Sequence, residues 1–128
     1  MEAKDFLKQI RKINILIENK QKEIDKLKAL KVCSVVCGNQ PIVKNSIETF
    51  ENELNENIVA LVDTKKKVQR VIDQIKEVDL VEVLYKRYFH FETWEQIALD
   101  KYCTFQWVHK LHAKALKEVQ AILEREGL

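Results

Sequence analysis

Thr93 and Thr104 stand eleven positions apart, and each reads as the residue that opens a helix. Thr93 precedes Trp94-Glu95-Gln96, so its hydroxyl can accept from the amide three residues on while Gln96 reaches back, the reciprocal arrangement of a capping box. Thr104 precedes Phe105-Gln106-Trp107 and can cap a second helix in the same way, without a reciprocal acid. The interval leaves room for about two helical turns and a turn of roughly three or four residues, the dimensions of a helix-turn-helix. The apolar residues agree. Trp94, Ile97 and Ala98 mark the first helix, and Val108, Leu111, Ala115, Val119 and Ile122 form a stripe at helical period on the second.

The other face of the second helix carries Phe105, Gln106, His109, Lys110, Ala113, Lys114 and Lys117, with no acid between Lys101 and Lys117. Such a face suits a DNA major groove: ammonium groups neutralise phosphates, a glutamine pairs bidentately with adenine, and an apolar ring rests on a thymine methyl. Read from pattern alone, the same face also fits a solvated surface on a three-helix adaptor.

VLYKRYF (83–89), TWEQIA (93–98) and TFQWVHKLHAKAL (104–116) resemble region four of the main bacterial sigma factors, the helix-turn-helix that reads the promoter −35 element. The whole chain is similar to a family of small phage proteins from Gram-positive hosts, the sigma-like regulators related to the RinA and ArpU late-gene activators. In that family a long helical N-terminal half precedes such a motif. The resemblance implies base contacts at Phe105, Gln106 and Lys110, and backbone contacts at Trp107, His109 and Lys114, with Lys117 further along the same face. Leu99, apolar beside the turn, is expected to face a partner surface or the N-terminal half.

Composition bounds the rest. A chain of 128 residues with two glycines, one proline and one-third charged residues reads as mostly helical with few loops. No apolar run approaches ~20 residues and no basic-then-apolar leader opens the chain, so no membrane association is expected. Three cysteines without a CxxC pattern point to a reducing cytoplasm, not a disulfide frame. Cys33 and Cys37 share a helix face but lack two further ligands, and His109 and His112 lack a carboxylate, so no metal or other cofactor is expected. Without a glycine-rich phosphate loop or a nucleophile–base pairing, catalysis is not expected either. Net charge is +2 overall, +3 for residues 1–78 and −1 for residues 79–128. The proposed groove-facing helix is thus locally basic within a near-neutral domain.

The N-terminal half reads as two long helices. Phe6, Ile10, Ile13, Ile17, Lys20, Ile24 and Leu27 step by four and three, a heptad seam running from about Ala3 to Cys37 and closed by Gly38 and Pro41. Ser46 is expected to cap a second helix with the seam Ile47, Phe50, Leu54, Asn57, Leu61, Thr64, Val68, Val71, Ile75 and Val78. Each arm would be about 50 Å long. Their matched lengths suggest an antiparallel hairpin, or two chains pairing through the arms. Ile15, Leu16, Ile58, Val62 and Ile72 lie off the seam and call for a cover, which favours a homo-oligomer, a dimer first. Either Asp79 caps a third helix, Leu80 to Phe89, or the second helix runs straight through, with the boundary expected at Val78-Asp79; Leu80, Val83, Leu84 and Tyr88 face inward and Arg87 outward, able to touch phosphate or to pair with Glu92 or Glu95.

The fold expected is therefore all-α, with a helical hairpin over residues 1–78 for oligomerisation or partner binding and a trihelical helix-turn-helix domain over residues 79–128. The function expected is sequence-specific binding of double-stranded DNA by a transcription regulator, an activator of phage or prophage genes acting with host RNA polymerase. The alternatives are the DNA-recognition subunit of a phage packaging machine, resembling small terminase subunits, and a helical adaptor that does not touch DNA.

Overall fold

The computed structural model describes residues 1–34 and 40–127, with side chains from 1–30 and 44–127. Every regular element among them is helical. Helix α1 spans Ala3–Ser34, α2 spans Gln40–Ile72, α3 spans Val78–Leu84, α4 spans Trp94–Asp100 and α5 spans Phe105–Glu126. A π-helical turn, Tyr85–Phe89, continues α3. Among the described residues no helix is long and apolar enough to cross a membrane.

The heptad steps place the long helices' apolar residues where the periodicity requires. On α1, Phe6, Ile10 and Ile24 are buried, and Ile13, Ile17, Lys20 and Leu27 are half-buried. On α2, Ile47, Leu54, Val68 and Val71 are buried, and Phe50, Asn57, Leu61 and Thr64 are half-buried; Ile75, just past its end, is buried too. Lys20 reaches Glu53 at 3.7 Å and Lys28 reaches Glu51 at 3.6 Å, two ion pairs between the helices. Asn57 brings an amide into the seam whose Nδ2 has no hydrogen-bond partner among the described residues. Ile15, Leu16, Ile58 and Val62 are exposed, whereas Ile72 is fully buried.

Helix boundaries depart from the expectation in three places. Helix α2 begins at Gln40, so Ser46 lies inside it and caps nothing. Pro41 falls in the first turn, where an amide would have no intrahelical acceptor and a fixed φ favours the helix, so the proline opens α2. The expected end of the first helix, at Cys37 and Gly38, lies outside the described residues. Helix α2 stops at Ile72, and Val78, expected to close its seam, is the 76 % exposed first residue of α3. Glu77, in extended conformation, is the residue before α3, and neither its side chain nor that of Asp79 caps it. Asp79 instead sits in the first turn, favoured there by the helix dipole.

By packing, the chain divides into Met1–Arg11 with Asp63–Leu128, and Lys12–Val62, a partition that does not fall at residues 78/79. The first of these units holds most of the fully buried side chains: Phe6, Leu7, Ile10, Val68, Val71, Ile72, Leu80, Val83, Leu84, Ile97, Val108 and Leu123 among them. Its opening residues are tied down by a distant partner. The Ala3 amide, one of the donors a helix start leaves without an acceptor, donates to Gln120 Oε1 on α5 at 2.8 Å.

Replacing Leu84, fully buried in α3, by alanine should cost about 2–5 kcal/mol in urea unfolding through lost transfer energy and the cavity left behind. Leu99→Ala, at a side chain 74 % exposed, should change stability by less than about 0.5 kcal/mol.

Candidate nucleic-acid interface

Both threonine caps form. Thr93 Oγ1 accepts from the Gln96 amide at 3.2 Å while the Thr93 amide donates to Gln96 Oε1 at 3.0 Å, a complete capping box. Thr104 Oγ1 accepts from the Trp107 amide at 3.1 Å. Between α4 and α5 the chain closes by a Schellman pattern: the Cys103 amide donates to the Ala98 carbonyl at 3.0 Å and the Tyr102 amide to the Leu99 carbonyl at 3.2 Å. The left-handed residue of this motif, usually glycine, is Tyr102 at φ 53°, with a side chain 97 % exposed. A Cβ in that conformation costs about 1 kcal/mol, and little packing offsets it.

Helix α5 turns Val108, Leu111, His112, Ala115, Val119, Ile122 and Leu123 inward. Phe105, Gln106, Trp107, His109, Lys110, Ala113, Lys114 and Lys117 are all exposed. The seven residues read as DNA-contacting therefore lie on the uncovered surface of one helix. Their surroundings differ. His109 sits between the Trp94 ring, 4.9 Å away between centroids, and the Phe105 ring, edge-on at 4.4 Å. Lys114 Nζ contacts Glu77 Oε1 at 2.7 Å, and that hydrogen bond holds the ammonium above the ordinary lysine range. Lys110 and Lys117 make no ion pair among the described residues.

Several acidic residues precede α5 in the chain. The structure pairs most of them internally. Lys101 Nζ lies 2.8 Å from Glu82 and 3.2 Å from Asp79. Burial opposes the charge on Lys101, but its hydrogen bonds to these carboxylates prevail and raise its pKa. Lys86 lies 3.3 Å from Asp100, 3.8 Å from Glu92 and 4.0 Å from Glu82. Arg87 is half-buried: its Nη1 donates to the Glu92 carbonyl at 2.9 Å and its guanidinium stacks 4.3 Å over the Trp94 ring. Its expected carboxylate partner is thus replaced by a backbone oxygen and a ring face.

The feature that periodicity could have supplied, and did not, is His112. It falls four residues after Val108 and one after Leu111, squarely on the inner stripe. Its Nε2 lies 2.7 Å from the Tyr88 hydroxyl, and its ring meets that of Trp94 edge-on at 4.6 Å. Burial, then the nearby charges of Lys4, His109 and Arg87, push its pKa down to about 4, while burial pushes the Tyr88 phenol up to about 12. The pair is a neutral imidazole and a phenol, satisfied by one shared hydrogen bond. Cys103 is only partly buried. Among the described residues no group of three or more histidine, cysteine or acidic side chains could hold a metal.

Two outcomes are expected. The folded pKa of His112 lies below its unfolded value near 6.5, so its contribution to stability is fully present above that value. It should be lost as pH falls towards about 4, with a slope approaching 1.4 kcal/mol per pH unit. Urea unfolding across that range, compared with His112→Gln, isolates this slope from the carboxylates. Tyr102→Gly should raise stability by up to about 1 kcal/mol by relieving the left-handed backbone.

Comparison with protein families, curated proteins and solved structures finds no match to this chain.

Proposed function

We propose that the protein is a sequence-specific DNA-binding transcription regulator built as a helical hairpin, α1 and α2, followed by a trihelical helix-turn-helix, α3 to α5. The carrying observation is the exposed face of α5 from Phe105 to Lys117, free of acidic residues and held at its start by the Thr104 cap. In this reading the N-terminal end of α5 enters the major groove. Gln106 reads an adenine edge, Phe105 packs on a thymine methyl and Lys110 reaches a base acceptor. Trp107, His109, Lys114 and Lys117 set the helix against the phosphates. The protein would act by placement, not by catalysis.

The resemblance to sigma region four and to phage late-gene activators supports the same reading and supplies its second part, contact with RNA polymerase. Leu99 and Tyr102, 74 % and 97 % exposed beside the turn, offer apolar surface for such a partner. The exposed residues Ile15, Leu16, Ile58 and Val62 on the arms support a homodimer. That apolar surface also favours the second reading, a helical adaptor that recognises protein alone.

Selection of duplexes from a random pool, at low and near-physiological salt, separates the two. A regulator enriches a motif that survives the higher salt. An adaptor enriches none, and any binding it shows disappears as salt rises. On the enriched site Gln106→Ala should relax preference at one or two base pairs. Lys114→Ala should weaken every duplex alike and flatten the salt slope by roughly one. Glu77→Gln removes the carboxylate that holds Lys114, so it should tighten binding several-fold on all sequences, with base preference unchanged.

A further inference from the structure

A second cationic feature lies where the start of α1 meets the turn before α4. A hollow of about 300 Å³ is lined by Lys8, Arg11, Arg87, Tyr88, Phe91 and Thr93. Three of these side chains are cations, two present rings, and none is acidic. Lys8 and Arg11, three residues apart, share one face of α1. Both are exposed, and neither makes an ion pair among the described residues. Arg87 uses part of its guanidinium on the Glu92 carbonyl, but the group has five N–H donors, so others remain for an anion. The Tyr88 hydroxyl is engaged by His112 and adds only its ring to the wall.

The backbone is arranged to keep this hollow. Phe91 adopts a left-handed conformation, φ 56°, uncommon for a bulky residue, two positions after the π-helical turn ends. The conformation sets its ring under Arg11, 5.2 Å from the guanidinium carbon. Strained residues and π-turns concentrate at functional sites. The hollow also adjoins the face of α5: Arg87 stacks 4.3 Å from the Trp94 ring, which in turn lies 4.9 Å from the His109 ring.

We propose that Lys8, Arg11 and Arg87 seat a phosphodiester group of the same duplex that α5 reads, making the start of α1 a second DNA contact. This rests on the duplex-binding reading. Lys8 and Arg11 close on the strand from α1, and Arg87 carries the contact toward His109 and α5. The phosphate would occupy a site with two freely exposed cations and one anchored one, geometry suited to positioning and silent on base identity.

The test is the salt dependence of duplex binding by the full chain carrying Lys8→Gln and Arg11→Gln, both at exposed positions, with thermal unfolding as the check on folding. Lys22→Gln with Lys44→Gln, equal in charge and confined to residues 12–62, is the control. The seat predicts a log–log salt slope shallower by about two, affinity down at least about tenfold at low salt, and base preference unchanged. Arg11→Lys with Lys8 intact should keep the slope near wild type, since it retains the charge. Should wild type bind duplex and the Lys8/Arg11 variant match the control in slope, the phosphate seat is wrong and the α5 reading stands. If wild type binds no duplex even at low salt, the DNA reading fails and the seat falls with it.

Discussion

Helices α3 and α4 have seven residues each, too few to persist on their own in water, where isolated helices shorter than about a dozen residues are marginal. Their existence depends on the inner stripe of α5. Leu80, Val83 and Leu84 from α3, and Ile97 and Ala98 from α4, are buried in the unit whose longest apolar face is Val108 to Leu123. The caps at Thr93 and Thr104 set where these short elements begin, but burial is what makes them worth forming. The buried His112–Tyr88 hydrogen bond lies in the same core and links α5 to the π-turn, a polar contact that specifies one arrangement among several apolar ones.

A second principle organises the surface. The segment from residue 79 onward is nearly neutral, yet one face of α5 is basic, because opposite charges are sorted and not diluted. Lys86 and Lys101 gather Asp79, Glu82, Glu92 and Asp100, and Arg87 turns its charge to a carbonyl and a ring. Exposed pairs of this kind add little stability individually. Their effect is on the field: acids that would oppose an anion are held against cations of the π-turn and the end of α4. Glu77, on Lys114, is the exception, a carboxylate held at the rim of the basic face itself.

Much of this was legible from residues that act locally. The capping threonines, the heptad seams and the inner stripe of α5 rest on rules spanning three or four positions, and the side chains stand where those rules put them. What escaped was set by where helices start and stop, and by distant partners. Pro41 opens α2 where Ser46 looked the better start. Val78 keeps the seam spacing yet is exposed, because the chain leaves α2 six residues earlier. Lys101 reads as a free cation until Asp79 and Glu82, about twenty residues before it, are seen to hold it. The hollow before α4 needs Lys8 and Arg11 beside residues some eighty positions later, a proximity no short-range pattern encodes.

The bond from the Ala3 amide to Gln120 has a consequence for how such a chain comes to be made. Residues Met1–Arg11 belong to a packed unit whose other residues, Asp63–Leu128, are synthesised some fifty or more positions later. The segment Lys12–Val62 can close upon itself while the chain is still growing, but Phe6, Leu7 and Ile10 must wait, their apolar surfaces uncovered, until residues from Asp63 onward arrive. A product truncated before Asp63, whatever helix it forms, would have no core in which to seat its first eleven residues.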